Sequence, residues 1–427
     1  MPQALLILLG LLLLAPVTGE LWRLPVAGFE LLPSDILIPV FFAVWALDKL
    51  RNDRVFRLGK IGKAIAFFLF TVVLTYGINS FRFPLMEMAV AFSYLGRFFM
   101  YVILAFMVFD LLARDPGKRV MTTILSGMTV SLVLICLFGF LQLEFFPSFL
   151  ALGLDVQGWD PHIGRLLSTW FDPNFVGGYL AFALGLVMAL GLYARHKGKK
   201  QWFWVFAAVS LIGLVALYYT FSRSGYLAFI TMIAILAFFK SRKWLVAAML
   251  LALLGFAVSP RVQERVTEGI ESAKAFVGLD SQRALDPSAR LRLDSWGYAI
   301  DIIRDHPWVG VGYSRYAYEI NQRGYGLLSD HDAGGSDSSL LTLWATTGVF
   351  GLLSYLAIGF VAIVTALRNI WKKTNFKSYL SAGLLAGFGG IMAHAIFVNS
   401  LLFPLVMVYL WVGLGLLDTS GGSRKPS

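Results

Sequence analysis

The chain is nearly free of cysteine and poor in charge, and each shortage removes a class of protein. Its single cysteine, Cys136, sits inside an apolar run. That excludes an intrachain disulfide and a thiolate metal site, and leaves a small buried hydrophobe. Only 14% of residues are charged against 58% hydrophobic, a balance far outside the soluble range. Acids are nearly absent from the long apolar runs, where an ion-coupled carrier usually keeps some. A dinucleotide fingerprint is also missing. Gly310 and Gly312 follow no strand, and the third glycine is absent.

What is present is a series of apolar runs long enough to cross a bilayer. They predict an all-α polytopic membrane protein of about twelve transmembrane helices. The spans fall at Ala4–Pro16 and about 34–47, 62–79, 89–112, 119–142, 175–193, 202–220, 224–240, 243–258, 339–367, 379–397 and 400–417. Ala4–Pro16 reads as a first span rather than a signal peptide. No Lys or Arg precedes it, and Pro-Val-Thr-Gly fits a cleavage site poorly.

The net charge of +11 invites a nucleic-acid reading, but the basic residues alternate between loops. One set of loops, from Lys49–Lys63 through Arg114–Arg119, Arg195–Lys200, Lys240–Lys243 and Arg368–Lys377 to Arg424 and Lys425, holds 22 of the 36 Lys/Arg. The alternate short loops hold only Arg23, Arg82, Arg165 and Arg223. This is the positive-inside pattern of a multi-pass protein in the cytoplasmic (inner) membrane, so no nucleic-acid partner is expected. It places both termini in the cytoplasm and the long polar loop outside. Residues 1–258 then hold helices one to nine, and 259–338 form a partly helical extracytoplasmic loop. Residues 339–418 hold the last three helices, and 419–427 are a cytoplasmic tail.

The loop carries nine of the Lys/Arg and is the one long polar passage. Val262, Val266 and Ile270 are spaced for one helical face, and Leu291, Tyr298, Ile302 and Ile303 for another, ending at His306-Pro307. Such helices lie on the bilayer or on the bundle top.

Arg223 lies in the tight connection Thr220-Phe-Ser-Arg-Ser-Gly225. An arginine at membrane depth costs about 3 kcal/mol and wants an anion or water. A new helix starts at Ser224, so its free N–H groups point to the same place as the guanidinium. Together they suit a phosphate or diphosphate; the alternative is a snorkelling arginine met by lipid head groups. Arg165 and Arg292 are similar candidates on the same face, each otherwise a solvated loop charge. Planar guanidinium forks suit diphosphate oxygens and stabilise a leaving diphosphate.

Asp337 precedes an apolar helix, where it is either an N-cap, a task Ser336 or Ser338 can share, or a base for a sugar hydroxyl. Serving as base requires burial to raise its pKa. His331, with an unperturbed pKa of about 6.5, is the competing base. Asp330-His331-Asp332 resembles an Asp-x-Asp metal motif but lacks strand context, so no metal and no cofactor is expected. Tyr313, Tyr316 and Tyr318 have the chemistry to stack on sugars, but an aromatic belt is the commoner use. His394, in an apolar helix, suggests a helix–helix hydrogen bond.

Several of these pieces form a known pattern. Arg292-Leu-Asp-Ser-Trp296 and Asp305-His306-Pro307-Trp-Val-Gly310-Val-Gly312 resemble the loop signature of the O-antigen ligase and polymerase superfamily. So do Arg165…Asp172-Pro-Asn174, Ser222-Arg223-Ser-Gly225 and Leu341…Thr347-Gly348-Val-Phe-Gly351. The resemblance implies a GT-C-like glycosyltransferase of cell-surface polysaccharide synthesis, lipopolysaccharide included. It implies transfer of a glycan from an undecaprenyl-diphosphate carrier onto an acceptor outside the membrane, without a nucleotide sugar. By the resemblance, Arg223 and Arg292 engage the donor diphosphate; Arg165 is a third candidate for it, and Asn174 and Tyr313 are candidate substrate-binding residues. A chain-length regulator is the partner it implies. Ligases of the superfamily commonly carry His where this chain has Asp337, which favours a polymerase-like member. The rival reading is a transporter or flippase of lipid-linked saccharide.

Overall fold

The structure is a computed structural model. It describes residues 3–26, 29–52, 58–115, 118–152, 162–240, 257–276, 287–325, 334–372 and 374–419, with single positions 243, 246 and 250. The chain opens with α1 (Gln3–Leu14), two short 3-10 turns and a hairpin of β1 (Leu24–Val26) and β2 (Phe29–Leu31). This antiparallel hairpin, with Pro25 opposite Glu30, departs from the all-α expectation.

The bundle follows with α2 (Pro33–Arg51), α3 (Lys60–Ile78), α4 (Leu85–Ala113), α5 (Arg119–Phe145), α6 (Pro173–His196), α7 (Lys200–Thr220) and α8 (Arg223–Lys240). Three helices of the polar loop come next: α9 (Pro260–Phe276), α10 (Pro287–Asp305) and α11 (Tyr316–Gln322). The chain returns through α12 (Ser339–Lys372), α13 (Phe376–His394) and α14 (Pro404–Thr419). Among the described residues, seven helices are long and apolar enough to cross a membrane: α3 to α8 and α12. The protein is therefore a multi-pass α-helical membrane protein. Helices occupy the expected spans, though α1 is only 12 residues long. Most of the expected span 243–258 lies outside the described residues, as does the tail beyond Thr419.

Sequence explains which helices are central. A helix that is apolar all round is buried all round. α6 and α14 meet that description and lie inside the bundle. Small residues allow their neighbours in. A Cβ on Gly185 of α6 would stand 2.9 Å from the Gly383 carbonyl of α13. A Cβ on Gly177 would stand 3.2 Å from the Gly225 backbone of α8.

The two ends of the bundle differ. At one end Lys49 pairs with Asp110 at 2.8 Å and Arg114 with Asp48 at 2.9 Å. Trp45 Nε1 also donates to Asp110, at 2.8 Å. Asp418, at the last turn of α14, accepts from the Ile61 and Gly62 amides and closes the start of α3. The other end carries α9 to α11 and is called the loop end below.

The loop packs its own small core of Ala299, Ile302, Ile303, Val311, Tyr316 and Ile320 against Ala345 of α12. Leu291, expected on that buried face, is 50% exposed, because the helix docks through its later turns. The tyrosines do not form the expected belt. Tyr316 is buried in the loop core, and Tyr325 stacks on Tyr298 at 4.3 Å. Tyr318 meets Phe83 edge-on, and Tyr313 turns under the loop onto Phe98 at 4.9 Å. Docking of the loop, rather than a shared depth in the bilayer, decides where each ring goes. On α9, Val262 is buried, while Val266 and Ile270 are exposed as on a surface-lying helix.

The segment after α10 hangs from a break in α12. Gly348 has φ 68° and ψ −176° inside that helix, a conformation essentially reserved for glycine. A Cβ there would collide with the Trp308 carbonyl. Val311 and Gly312 amides donate to the Ala345 and Thr346 carbonyls at 3.0 and 2.8 Å, and Val349 N donates to the Pro307 carbonyl at 2.9 Å.

Candidate functional site

The helix starts at the loop end are built from caps and close glycines. Asp172 Oδ1 accepts from the Asn174 and Phe175 amides at 2.6 and 3.2 Å and caps α6, with Pro173 in its first turn. Ser222 Oγ accepts from the Gly225 amide at 3.1 Å and caps α8. That helix starts at Arg223, one residue earlier than the sequence suggested. Both capping segments follow bulky residues in the left-handed region, Phe171 at φ 57° and Phe221 at φ 46°. Such backbone is costly for aromatic residues and persists where surrounding structure holds it.

The two starts are tied together. Ser222 Oγ donates to Asn174 Oδ1 at 2.8 Å, and Arg165 Nη2 reaches the same oxygen at 3.4 Å. Arg165 Nε donates to the Thr220 carbonyl at 2.9 Å, and its residue is 9% exposed. Arg165 and Asn174 thus fix the turn that presents Arg223. Arg223 itself is partly exposed and lies 3.8 Å from Glu268 of α9.

Sequence reasoning missed two arginines here. Arg261 and Arg265 sit one turn apart on α9, which lowers them onto the same corner. Arg261 donates to the Ile163 carbonyl at 2.5 Å and lies over the Phe221 ring at 4.3 Å. Arg265 pairs with Glu268 at 2.9 Å. Arg165, Arg261 and Arg265 all act electrostatically on Tyr226, in the first turn of α8. The i, i+4 spacing of the two basic residues was visible, but only α9's docking places them beside Arg223.

Asp337 lies against α10, the helix that carries Arg292. Arg292 is in the first half of α10, half-buried. One turn later, Ser295 Oγ accepts from the Asp337 amide at 3.0 Å and bonds Ser336 Oγ at 3.3 Å. Ser338 Oγ accepts from the Leu341 amide at 3.4 Å and so caps α12. The half-buried Asp337 thus stands beside the helix that carries Arg292. Asp330, His331 and Asp332 lie outside the described residues. Among the described residues there is no cluster of three or more His, Cys, Asp or Glu able to hold a metal.

Between the two groups sits His394, at the last turn of α13 and fully buried. Asp172 and Arg292 both act electrostatically on its ring, which faces the Asn174 main chain. Neither ring nitrogen reaches full hydrogen-bond geometry with a described residue, and the polar group the ring approaches on a neighbouring helix is the Asn174 main chain. A Cβ on Gly178 of α6 would stand 2.8 Å from the ring. Through His394 the α6–α8 corner adjoins the Arg292 helix at one end of the bundle. Tyr313 stands apart, under the loop, where burial pushes its phenol pKa up.

Fold and site thus describe a multi-pass helical membrane protein whose polar loop closes over arginine-bearing helix starts at one end. Residues 208–356 match the family model described as O-antigen ligase. Over that stretch, from within α7 to the middle of α12, the resemblance to the O-antigen ligase and polymerase superfamily holds. It takes in Arg223, the loop helices, Arg292, Asp337 and the Gly348 break. A comparison with curated proteins gives no match.

Proposed function

We propose that the chain is a membrane glycosyltransferase of the O-antigen polymerase/ligase type, polymerase-like rather than ligase-like. It takes saccharide from an undecaprenyl-diphosphate-linked donor during synthesis of lipopolysaccharide or another surface polysaccharide. The observation that supports this most is the gathering of Arg223, Arg165, Arg261 and Arg265 at the N-terminus of α8, where free amides add positive potential.

In this reading the acceptor hydroxyl oxygen attacks the anomeric carbon of the donor. The bond from that carbon to the diphosphate oxygen breaks, and its electron pair leaves with undecaprenyl diphosphate. Arg223 and Arg292 carry the charge that develops there. Asp337 or His331 takes the hydroxyl proton. Arg165 holds the turn beneath Arg223, and Asn174 and Tyr313 lie on the substrate side. The frame is GT-C-like: twelve spans, both termini cytoplasmic, the 259–338 loop extracytoplasmic, and a chain-length regulator as partner.

Arg223→Ala, purified and supplied with lipid-linked donor, is expected to lose chain growth by at least about a hundredfold with its melting temperature unchanged. Full activity in that variant removes the diphosphate clamp. Movement of the lipid across vesicles without new glycosidic bonds replaces the enzyme with a carrier.

A further inference from the structure

A cleft opens in the flank of the bundle, between α2 and α4. Its volume is about 330 Å³, and Glu30, Asp35, Ser93, Tyr94, Arg97 and Tyr101 supply its polar lining. Exposed Ile36 and Val40 on α2 and Phe92 on α4 flank it, so it opens sideways toward lipid.

Its polar groups form a rigid set. Arg97 Nε and Nη2 donate to the two oxygens of Asp35 at 2.8 and 2.7 Å, and Tyr101 Oη donates to the same carboxylate at 2.8 Å. Tyr101 Oη also bonds Ser34 Oγ at 2.7 Å. The Asp35 side chain is 4% exposed and that of Arg97 27%. Among the described residues Nη1 of Arg97 has no partner. Glu30, on the hairpin rim, is held by Arg23.

Depth makes the set unusual. Asp35 and Arg97 each lie thirteen residues from the charged end marked by Asp48 and Asp110, about 20 Å along their helices. In the other direction Met88, whose carbonyl accepts from Tyr76 Oη, is about 14 Å further along α4. Asp35 also stands in the first turn of α2, where it accepts from the Leu32 amide at 2.8 Å, so the ion pair lies toward the loop-end edge of the membrane span. Ionisable side chains at that depth mark a polar ligand or a path. The inner end of the cleft also adjoins the loop. Arg97 acts electrostatically on Tyr313, whose ring packs on Phe98, the residue after Arg97.

The charges decide the ligand class. Asp35 is matched by Arg97 and Glu30 by Arg23, so the lining holds no uncompensated cation to attract a phosphate. Donors and acceptors alternate (Arg97 Nη1, the Ser93 hydroxyl, the Glu30 carboxylate), which suits a group bearing several hydroxyls. The volume falls within the usual range of small-molecule sites. We propose that this cleft is a lateral binding site for the neutral saccharide head of a membrane-anchored lipid. That lipid enters as the glycosyl acceptor, a role that rests on the proposed glycosyl transfer.

The test uses full-length protein in lipid nanodiscs and native mass spectrometry. The probes are a monoglucosyl diacylglycerol and a phosphatidylglycerol of the same acyl chains. Wild type is expected to retain the glycolipid over the phospholipid, and Ser93→Trp, which fills the cleft, to lose at least ten times in glycolipid affinity. Arg223→Ala is expected to bind it unchanged. If Ser93→Trp does not fold, Glu30→Gln together with Tyr94→Ala gives the same reading. Equal retention of both lipids, or unchanged binding in the filled cleft, overturns the site. Glycolipid binding that depends on Ser93, in a protein that forms no glycosidic bond, keeps the site and removes only the acceptor role.

Discussion

His394 is buried, and among the described residues neither ring nitrogen reaches full hydrogen-bond geometry; a group in that state normally costs stability rather than adding it. Replacing it by an apolar residue of similar size removes that cost. His394→Leu is therefore expected to melt at the same temperature or higher, as read by thermal unfolding in detergent. A lower melting temperature would make the ring a packing element only. His306 gives a prediction in pH. Arg82 Nη2 lies 3.1 Å from its Nε2, and a guanidinium can donate only to a neutral ring nitrogen. Burial, and then Arg82, hold its pKa below the usual value of 6.5. The unfolded chain thus binds the proton first as pH falls. The stability held through His306 is present above about 6.5 and is lost as pH drops through that value toward the folded-state pKa. Hydrogen exchange over residues 305–322 is expected to quicken between pH 7.5 and 5.5, and His306→Gln to flatten the difference.

The loop and α12 meet at the scale of elements, and here glycine chemistry sets the outcome. Gly348→Ala places a side chain on backbone with positive φ and against the Trp308 carbonyl. A loss of about 2–4 kcal/mol in loop docking is expected, read as local hydrogen exchange at 307–312, with the rest of the bundle unchanged. Much of this element was legible in the sequence. The helices of the loop follow from their apolar spacing, and Pro307 ends the second run. What was not legible is that Gly310-Val-Gly312 and Thr347-Gly348 are two halves of one contact. Local spacing carries no information about segments that meet across more than thirty residues. The same limit hid Arg261 and Arg265, which belong to the Arg223 corner only once α9 lies across it. It also misplaced the tyrosines, whose burial is decided by docking rather than by membrane depth.

For the whole molecule, charge alternation and apolar runs gave the bundle, because a bilayer allows backbone polar groups so few solutions. The interior order of the helices was not legible, since α6 and α14 are as apolar as their lipid-facing neighbours. The glycines of α6, and Gly415 of α14, point to close crossings only when read after the fact. The orientation is open to a direct test. Cys136 is fully buried, so the native chain gives little background to a thiol reagent. Asn321→Cys in the loop is expected to react with a membrane-impermeant maleimide in intact cells, and Lys197→Cys only after lysis. The reverse order would invert the molecule in its membrane.

The break at Gly348 has a mechanical consequence. Strap and shaft are pinned on both sides of one hinge, so neither can swing alone. Whatever tilts the upper part of α12 drags Trp308, whose indole stands in the open, through the same arc. With the other eleven tryptophans replaced, its emission would gauge that lever.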